Sequence, residues 1–224
     1  MQGRLVKRAT DETTVKTVLF VFSNLSYPPQ EGQHANHVLL MQGLKAEGWQ
    51  IGVVALQRCG TALDLPALSR SVGGLVHAQA MPTRLSYPLL LVRNLLPWRS
   101  ALCRTLQALA GAHPHAVVHL EGVGLLPLVP MLRGRAVVVT TTDAWSLRQR
   151  RLATRARTVL RRLALRSYEA LTLWAERRFM PQAAAAQVVS PADAAHLQQQ
   201  VPAARVACIP IALPALPQLL ATAM

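Results

Sequence analysis

Residues 16–23 read KTVLFVFS, an unbroken run of aromatic and aliphatic residues with polar side chains only at its ends. A strand wetted on one face alternates apolar and polar residues. This run does not alternate, so it fits a strand covered on both faces, as in a parallel sheet sandwiched between helices. The turn residues Asn24, Ser26, Pro28, Pro29 and Gly32 follow. A helix is expected over residues 35–47, closed by Gly48 as a left-handed cap. Further strand-length bursts fall at 50–56, 74–80, 116–120, 136–141, 186–190 and 205–209. Residues 88–109 read as helical, with Pro97 either opening a second helix or kinking the first. Strands separated by helices at this spacing specify an open α/β domain, a parallel sheet with right-handed crossovers.

The composition agrees with a packed domain. The chain has 224 residues, 51% apolar and 15% charged, enough for one large domain or at most two small ones. A mean hydropathy of +0.25 excludes disorder as the main description. The absence of a short Gly or Pro period excludes collagen-like and solenoid architectures. The net charge of +14 comes from 21 Arg and only three Lys. In an Ala- and Leu-rich chain that excess partly reflects codon bias of a GC-rich genome, which weakens the pI of about 11.4 as a sign of nucleic acid. The arginine-rich stretch also lacks interleaved aromatics and has no recognition motif beside it, so nucleic-acid binding is disfavoured. Cys59, Cys103 and Cys208 form no CxxC or Cys/His cluster, so neither a disulfide framework nor a metal site is expected, and reduced thiols in a cytoplasmic protein follow. The apolar run 18–22 is too short for a signal peptide or a spanning helix. Membrane contact, if made, is therefore expected at the surface.

In an open parallel sheet, ligands bind outside the carboxyl ends of the strands. That rule points to four loops, at 24–34, 121–124, 142–146 and 191–193. In the first, Gly32, Gln33 and His34 precede a helix whose free amides could hold an anion such as a diphosphate, although a plain strand–helix turn reads the same way. His37 shares a helix face with Leu40, Met41 and Leu44 and reads as packed, whereas His34 is expected at the mouth. In AVVHLEGVG, His119 and Glu121 end a strand on one of its sides. The pair suits hydroxyl recognition or proton handling, or else a structural hydrogen bond. Asp143 either lines a site or caps the helix beside it. Residues 144–168 hold Arg148, Arg150, Arg151, Arg155, Arg157, Arg161, Arg162 and Arg166 and no acidic residue, with Leu152, Ala153, Ala156, Val159, Leu160 and Leu163 on one arc. This is a basic amphipathic helix, compatible with anionic headgroups or with a solvated face. Arg148, Arg151, Arg155, Arg157, Arg161 and Arg162 are its candidate membrane contacts.

Taken in order, four segments resemble the N-terminal half of a family 4 glycosyltransferase with GT-B architecture. They are VLFVFSNLSYPPQEGQHANH (18–37) with the strand that follows its helix, the stretch ending in AVVHLEG (116–122), RGRAVVVTTTDAWSLRQRRLA (133–153), and RSYEALTLWAERRF leading to VVSPAD (166–193). The likeness covers about residues 16–213 and is strongest to sugar transferases of exopolysaccharide or exosortase-associated systems. It implies a Rossmann-like domain at 16–213, preceded by a flexible segment 1–15 and followed by a linker or tail at 214–224. It also implies transfer of a sugar from a nucleotide-sugar donor, with retention at the anomeric carbon and no required metal or further cofactor. The acceptor is expected to be a glycan or lipid-linked. By position, Gly32 becomes the close-approach glycine, His119 the catalytic histidine beside the reacting sugar, and Gln33, His34, Glu121 and Asp143 substrate-binding residues. The sequence departs from the family at Glu31-Gly32-Gln33, where a Gly-Gly pair is usual, at Thr142, where a histidine is common, and at Ile211-Ala212, where Asn-Gly is common. The chain ends where the donor-binding domain is expected to start. A split or truncated enzyme, inactive without a partner domain, is one expectation, and a non-catalytic binding module of the same fold is the other. Location in the cytoplasm, or peripherally on the inner face of the plasma membrane, completes these expectations.

Overall fold

The computed structural model describes residues 16–58, 60–96 and 100–210. The segments 1–15 and 211–224, with Cys59 and Pro97, lie outside the described residues. Seven parallel strands form one sheet in the order β3-β2-β1-β4-β5-β6-β7. In chain order they are β1 (Thr17–Phe22), β2 (Gln50–Arg58), β3 (His77–Thr83), β4 (Val117–Glu121), β5 (Val137–Thr140), β6 (Ala185–Val188) and β7 (Val206–Cys208). The helices are α1 (Gly32–Ala46), α2 (Leu65–Ser71), α3 (Tyr87–Asn94), α4 (Ala101–Ala112), α5 (Trp145–Thr154), α6 (Val159–Phe179) and α7 (Pro191–Gln200). A 3₁₀ segment, Val123–Leu132, replaces a helix between β4 and β5, where Pro127 and Pro130 deny an α-helix its amide donors. This is the Rossmann-like open sheet the sequence implies.

Both faces of the sheet are covered. Alternate residues Val18, Phe20 and Phe22 of β1 and Ile51, Val53 and Ala55 of β2 pack against Val38 and Met41 of α1 and Leu68 of α2. Their neighbours Val21, Val54, Leu56, Val118 and Leu120 face the opposite core with Leu102, Leu106, Leu125 and Phe179. Each fully buried Leu or Phe contributes about 1.5–3 kcal/mol relative to exposure, which is why an unbroken apolar run is stable only in this central position. His119 and Glu121 stand on the α1 face, in register with Phe20 and Phe22.

Three boundaries differ from the sequence expectation, each for a local reason. Helix α1 begins at Gly32 because the Glu31 carbonyl accepts from the amides of His34 (3.0 Å) and Ala35 (3.2 Å). Strand β3 begins at His77 because Gly73 and Gly74 adopt φ of 76° and 97° and close the turn after α2. The basic stretch forms two helices, since Thr158 takes extended backbone and caps α6 by accepting from the Arg161 amide at 3.3 Å. The expected apolar arc is divided accordingly. Ala153 and Ala156 are buried, but Val159, Leu160 and Leu163 are 70%, 80% and 59% exposed.

Candidate functional site

The chain runs from β1 outward through β2 and β3, then returns to β4 beside β1 and continues through β7. That reversal opens a crevice at the carboxyl ends of β1 and β4, where such sheets bind ligands. A cavity of about 280 Å³ lies there, lined by strand-end and helix-start residues. Glu121, the last residue of β4, lines it although only 4% exposed. Its Oε1 lies 3.7 Å from His37 Nε2 on α1, beyond hydrogen-bond length, so the buried Nε2 has no hydrogen-bond partner. The next residue, Gly122, has φ of 104°, and a Cβ on it would fall 2.2 Å from Ser23 Oγ. The Ser23 amide donates to the Glu121 carbonyl at 3.0 Å, so the ends of β1 and β4 are clamped at the cavity floor.

The other anticipated residues divide. Gln33 and Thr142 line the cavity together, the Thr142 hydroxyl donating to Gln33 Oε1 at 3.1 Å. Gly32 is the first residue of α1 and has open space where a side chain would stand, and the N-cap Glu31 makes no side-chain capping bond. His34 is not at the mouth: it is 1% exposed and its Nδ1 is bonded to Ser26 Oγ at 2.7 Å, because the early start of α1 turns it inward. Burial holds its pKa below the ordinary imidazole value. Asp143 does not cap α5. The N-cap is Ala144, whose amide donates instead to Asp193 Oδ1 at 3.2 Å, while Asp143 stands at the cavity rim, 3.6 Å from Arg148 Nε.

His119 lies one layer behind Glu121. Its Nε2 is bonded to Thr140 Oγ1, and the Thr140 hydroxyl donates to Gln187 Oε1 at 3.3 Å. With its proton so committed, the hydroxyl accepts from His119, which fixes the Nε2–H tautomer. Burial, reinforced by nearby His37, pushes the ring down to about 3, so it is neutral. It borders a narrow crevice that also touches Gln33 and Thr142, the two residues shared with the main cavity.

One wall was not anticipated. The Arg58 guanidinium lies 4.7 Å from the Tyr87 ring centre, Tyr87 is 5.1 Å from Trp145, and Arg148 lies 4.8 Å from Trp145. This Arg–Tyr–Trp–Arg stack lines the cavity together with the carboxylates of Glu31, Glu121 and Asp143. The strand-end rule applies equally to the loop after β2, which was not among the four loops expected, and β2 itself runs two residues past its expected end to Arg58. Arg148, expected at a membrane surface, belongs to this wall. Behind it a buried brace holds α5: the Ser146 amide donates to Glu176 Oε1 at 3.2 Å and Ser146 Oγ is 2.9 Å from His196 Nε2. Glu176 is fully buried, with Oε2 lacking a hydrogen-bond partner, and burial pushes its pKa up to about 7.

Among the described residues, no group of three or more His, Cys, Asp or Glu is placed to hold a metal ion, and no helix is long and apolar enough to cross a membrane. An aromatic wall beside clustered carboxylates suits a polyhydroxylated ligand, with rings to pack on and acceptors for hydroxyl protons.

Two solved structures of UGT2 from Phytolacca americana share the fold. One holds UDP-2-fluoro-glucose and pterostilbene (TM-score 0.50, 11% identity), and the other is the apo protein (TM-score 0.54, 13% identity). Each match covers 92% of this chain but only 56% and 54% of the UGT2 chains, so this chain spans about half their length. No curated protein matches by sequence. The sheet and helices are those of GT-B glycosyltransferase structures. The sequence pattern of Glycosyltransferase Family 4 matches residues 36–213, most of the described sheet, and the chain belongs to that family.

Proposed function

We propose that this domain is the acceptor side of a nucleotide-sugar-dependent glycosyltransferase. The observation that carries the reading is Glu121, held at the switch point on the floor of a cavity walled by Tyr87 and Trp145. There its carboxylate accepts a hydrogen bond from the acceptor hydroxyl, orients it, and raises its nucleophilicity. His37 Nε2, buried without a hydrogen-bond partner, stands 3.7 Å behind that carboxylate and borders the crevice that holds His119. Asp143 and Gln33 hold further hydroxyls at the rim. His119 meets the reacting sugar through the edge formed by Gln33 and Thr142, and acts there as a neutral hydrogen-bonding group. The uncapped start of α1, with open space at Gly32, admits the donor diphosphate. The groups that grip the nucleotide belong to a second Rossmann-like domain, and no transfer occurs without it.

The acceptor is lipid-linked or a polysaccharide. Supporting a lipid-linked one, Val159, Leu160 and Leu163 project from α6 among the exposed Arg155, Arg157, Arg161 and Arg162. Basic side chains near an anionic leaflet contribute on the order of 1 kcal/mol each, and the apolar trio adds insertion to that attraction.

The test combines this chain with a donor-binding domain and follows nucleotide release from a panel of UDP- and GDP-sugars. Turnover that requires both components and falls roughly 100-fold or more in Glu121→Gln, without loss of folding, supports the reading. Turnover by this chain alone, or an unaffected Glu121→Gln enzyme, refutes it.

A further inference from the structure

We propose that Arg58 and Arg84 form an anion-binding subsite beside the sugar cavity, so that the acceptor carries a phosphate or carboxylate next to the ring that is glycosylated. This rests on the acceptor reading above and adds the chemical class of the ligand. Beyond Arg58, at the carboxyl ends of β2 and β3, lies a second depression of about 430 Å³. Its lining includes two guanidinium groups, Arg58 and Arg84, the hydroxyl residues Thr61 and Thr83, and no carboxylate. Arg58 borders both this depression and the sugar cavity. A ligand spanning the two passes directly over it.

Three of the described arginines have a carboxylate partner, and Arg58 and Arg84 are not among them. Arg148 is paired with Asp143, and Arg150 and Arg166 both hold Glu169. Among the described residues, no carboxylate lies within ion-pairing distance of Arg58 or Arg84. Arg58 is half-buried, so its guanidinium is partly stripped of water; Glu31 and Glu121 line the same cavity without coming within ion-pairing distance, and an incoming anion supplies the direct partner.

Arg58 is also held in place. It ends β2 in register with Thr83 of β3. The Thr61 amide donates to the Arg58 carbonyl at 3.0 Å, Gln57 Nε2 donates to the Thr61 carbonyl at 3.1 Å, and Thr61 Oγ1 donates to Asn24 Oδ1 at 3.3 Å. The guanidinium lies over the Tyr87 ring and also hydrogen-bonds to the Tyr87 side chain, which holds its orientation and leaves its remaining N–H groups for an anion. Guanidinium N–H groups match the paired oxygens of a phosphate or carboxylate. Arg84, more exposed, adds a second charge to the same lining.

The experiment titrates the chain with inorganic pyrophosphate, glucuronate and methyl glucoside in phosphate-free buffer at about 0.15 M salt, which screens the general positive field. Binding is read from the arginine Nε–Hε and tryptophan indole NMR signals. Pyrophosphate or glucuronate should bind the wild-type chain, with the dissociation constant raised roughly tenfold by Arg58→Gln, less by Arg58→Lys and Arg84→Gln, and unchanged by Arg70→Gln on α2. Preference for pyrophosphate assigns the acceptor group as a phosphate, and preference for glucuronate as a carboxylate. Equal weakening by Arg58→Gln and Arg70→Gln reveals only the chain's general charge and overturns the subsite. If methyl glucoside shifts the indole signals while no anion depends on Arg58, the subsite falls and the acceptor cavity stands. If an anion depends on Arg58 but no sugar perturbs the cavity, the acceptor reading falls instead.

Discussion

Replacing Glu176 by Gln should flatten the pH dependence of stability, and the size of the change follows from its surroundings. The carboxyl is fully buried, one oxygen accepts from the Ser146 amide, and the other has no hydrogen-bond partner. Burial raises its pKa from 4.5 to about 7, helped by the nearby charge of Asp193, while its bonds to Ser146 pull the other way. A folded-state pKa above the unfolded one means that the protonated acid is the stable native form. Its contribution is full below about pH 4.5, is lost as pH rises through about 7, and does not change further above that. At about 1.4 kcal/mol per pKa unit, the whole swing is about 3 kcal/mol, a large share of an ordinary domain stability of about 5–15 kcal/mol. Gln keeps the acceptor for the Ser146 amide but cannot ionise. Its second group is as poorly served as the Glu oxygen it replaces, a fixed cost that is equal at every pH. The assay is urea unfolding of both proteins at pH 5 and pH 8, read as the difference of differences. Buried His34, His119 and His196, whose pKa values burial lowers, lose stability in the opposite sense as pH falls, and their contributions cancel in that comparison. The wild type should lose between about 2 and 3 kcal/mol more than Glu176→Gln on going from pH 5 to pH 8. Parallel pH profiles would refute the argument, because they would mean that Glu176 ionises as it does in water.

Three further outcomes are expected. Gly122→Ala should lower stability by roughly 2–4 kcal/mol in thermal or urea unfolding, since a side chain there meets Ser23 on a backbone conformation reserved for glycine. Gly32→Ala has open space around it and should melt like the wild type, yet raise the donor KM in the two-domain assay if the diphosphate approaches this turn. Co-sedimentation with phosphatidylglycerol-containing vesicles at low salt should be weakened by Arg155, Arg157, Arg161 and Arg162 changed together to Gln. It should also be weakened separately by Val159, Leu160 and Leu163 changed to Ser. Equal binding of all three proteins to neutral vesicles would show α6 to be a solvated face.

The strand framework was legible because its physics is local in sequence. KTVLFVFS admits few structures besides a doubly covered strand, and the alternation along β4 placed His119 and Glu121 on one side before any contact was known. Helix starts were less legible. Gly32 and His34 have weak helical preferences, and the bonds that recruit this turn come from the carbonyl of Glu31. That shift of three residues turned His34 inward, whereas His37 is packed as expected, buried against Phe22 and 3.7 Å from Glu121. The aromatic wall was illegible for another reason. Tyr87 and Trp145 are far apart in sequence, and only the packing of α3 and α5 over the sheet brings their rings to 5.1 Å.

The arginines make the same point about charge. Composition treats all 21 alike and offers codon bias as one explanation for them together. In the fold their surroundings differ. Arg150 on α5 and Arg166 on α6 both hold Glu169 of α6, and Arg177 binds the side chain and carbonyl of Gln200, so Arg150 and Arg177 tie helices together while Arg166 acts within one. Arg148 and Arg58 stack on the rings of the cavity wall, and only the first has a carboxylate partner. Arg155, Arg157 and Arg161 stand in solvent beside exposed apolar side chains. A mutational bias can raise the number of arginines everywhere, but it has no means of matching their environments to different tasks. Where a guanidinium is half-buried, stacked and without a counter-ion, as at Arg58, the residue retains a desolvation penalty that a surface position would have avoided. That penalty makes Arg58, rather than the overall charge, the informative cation in this chain.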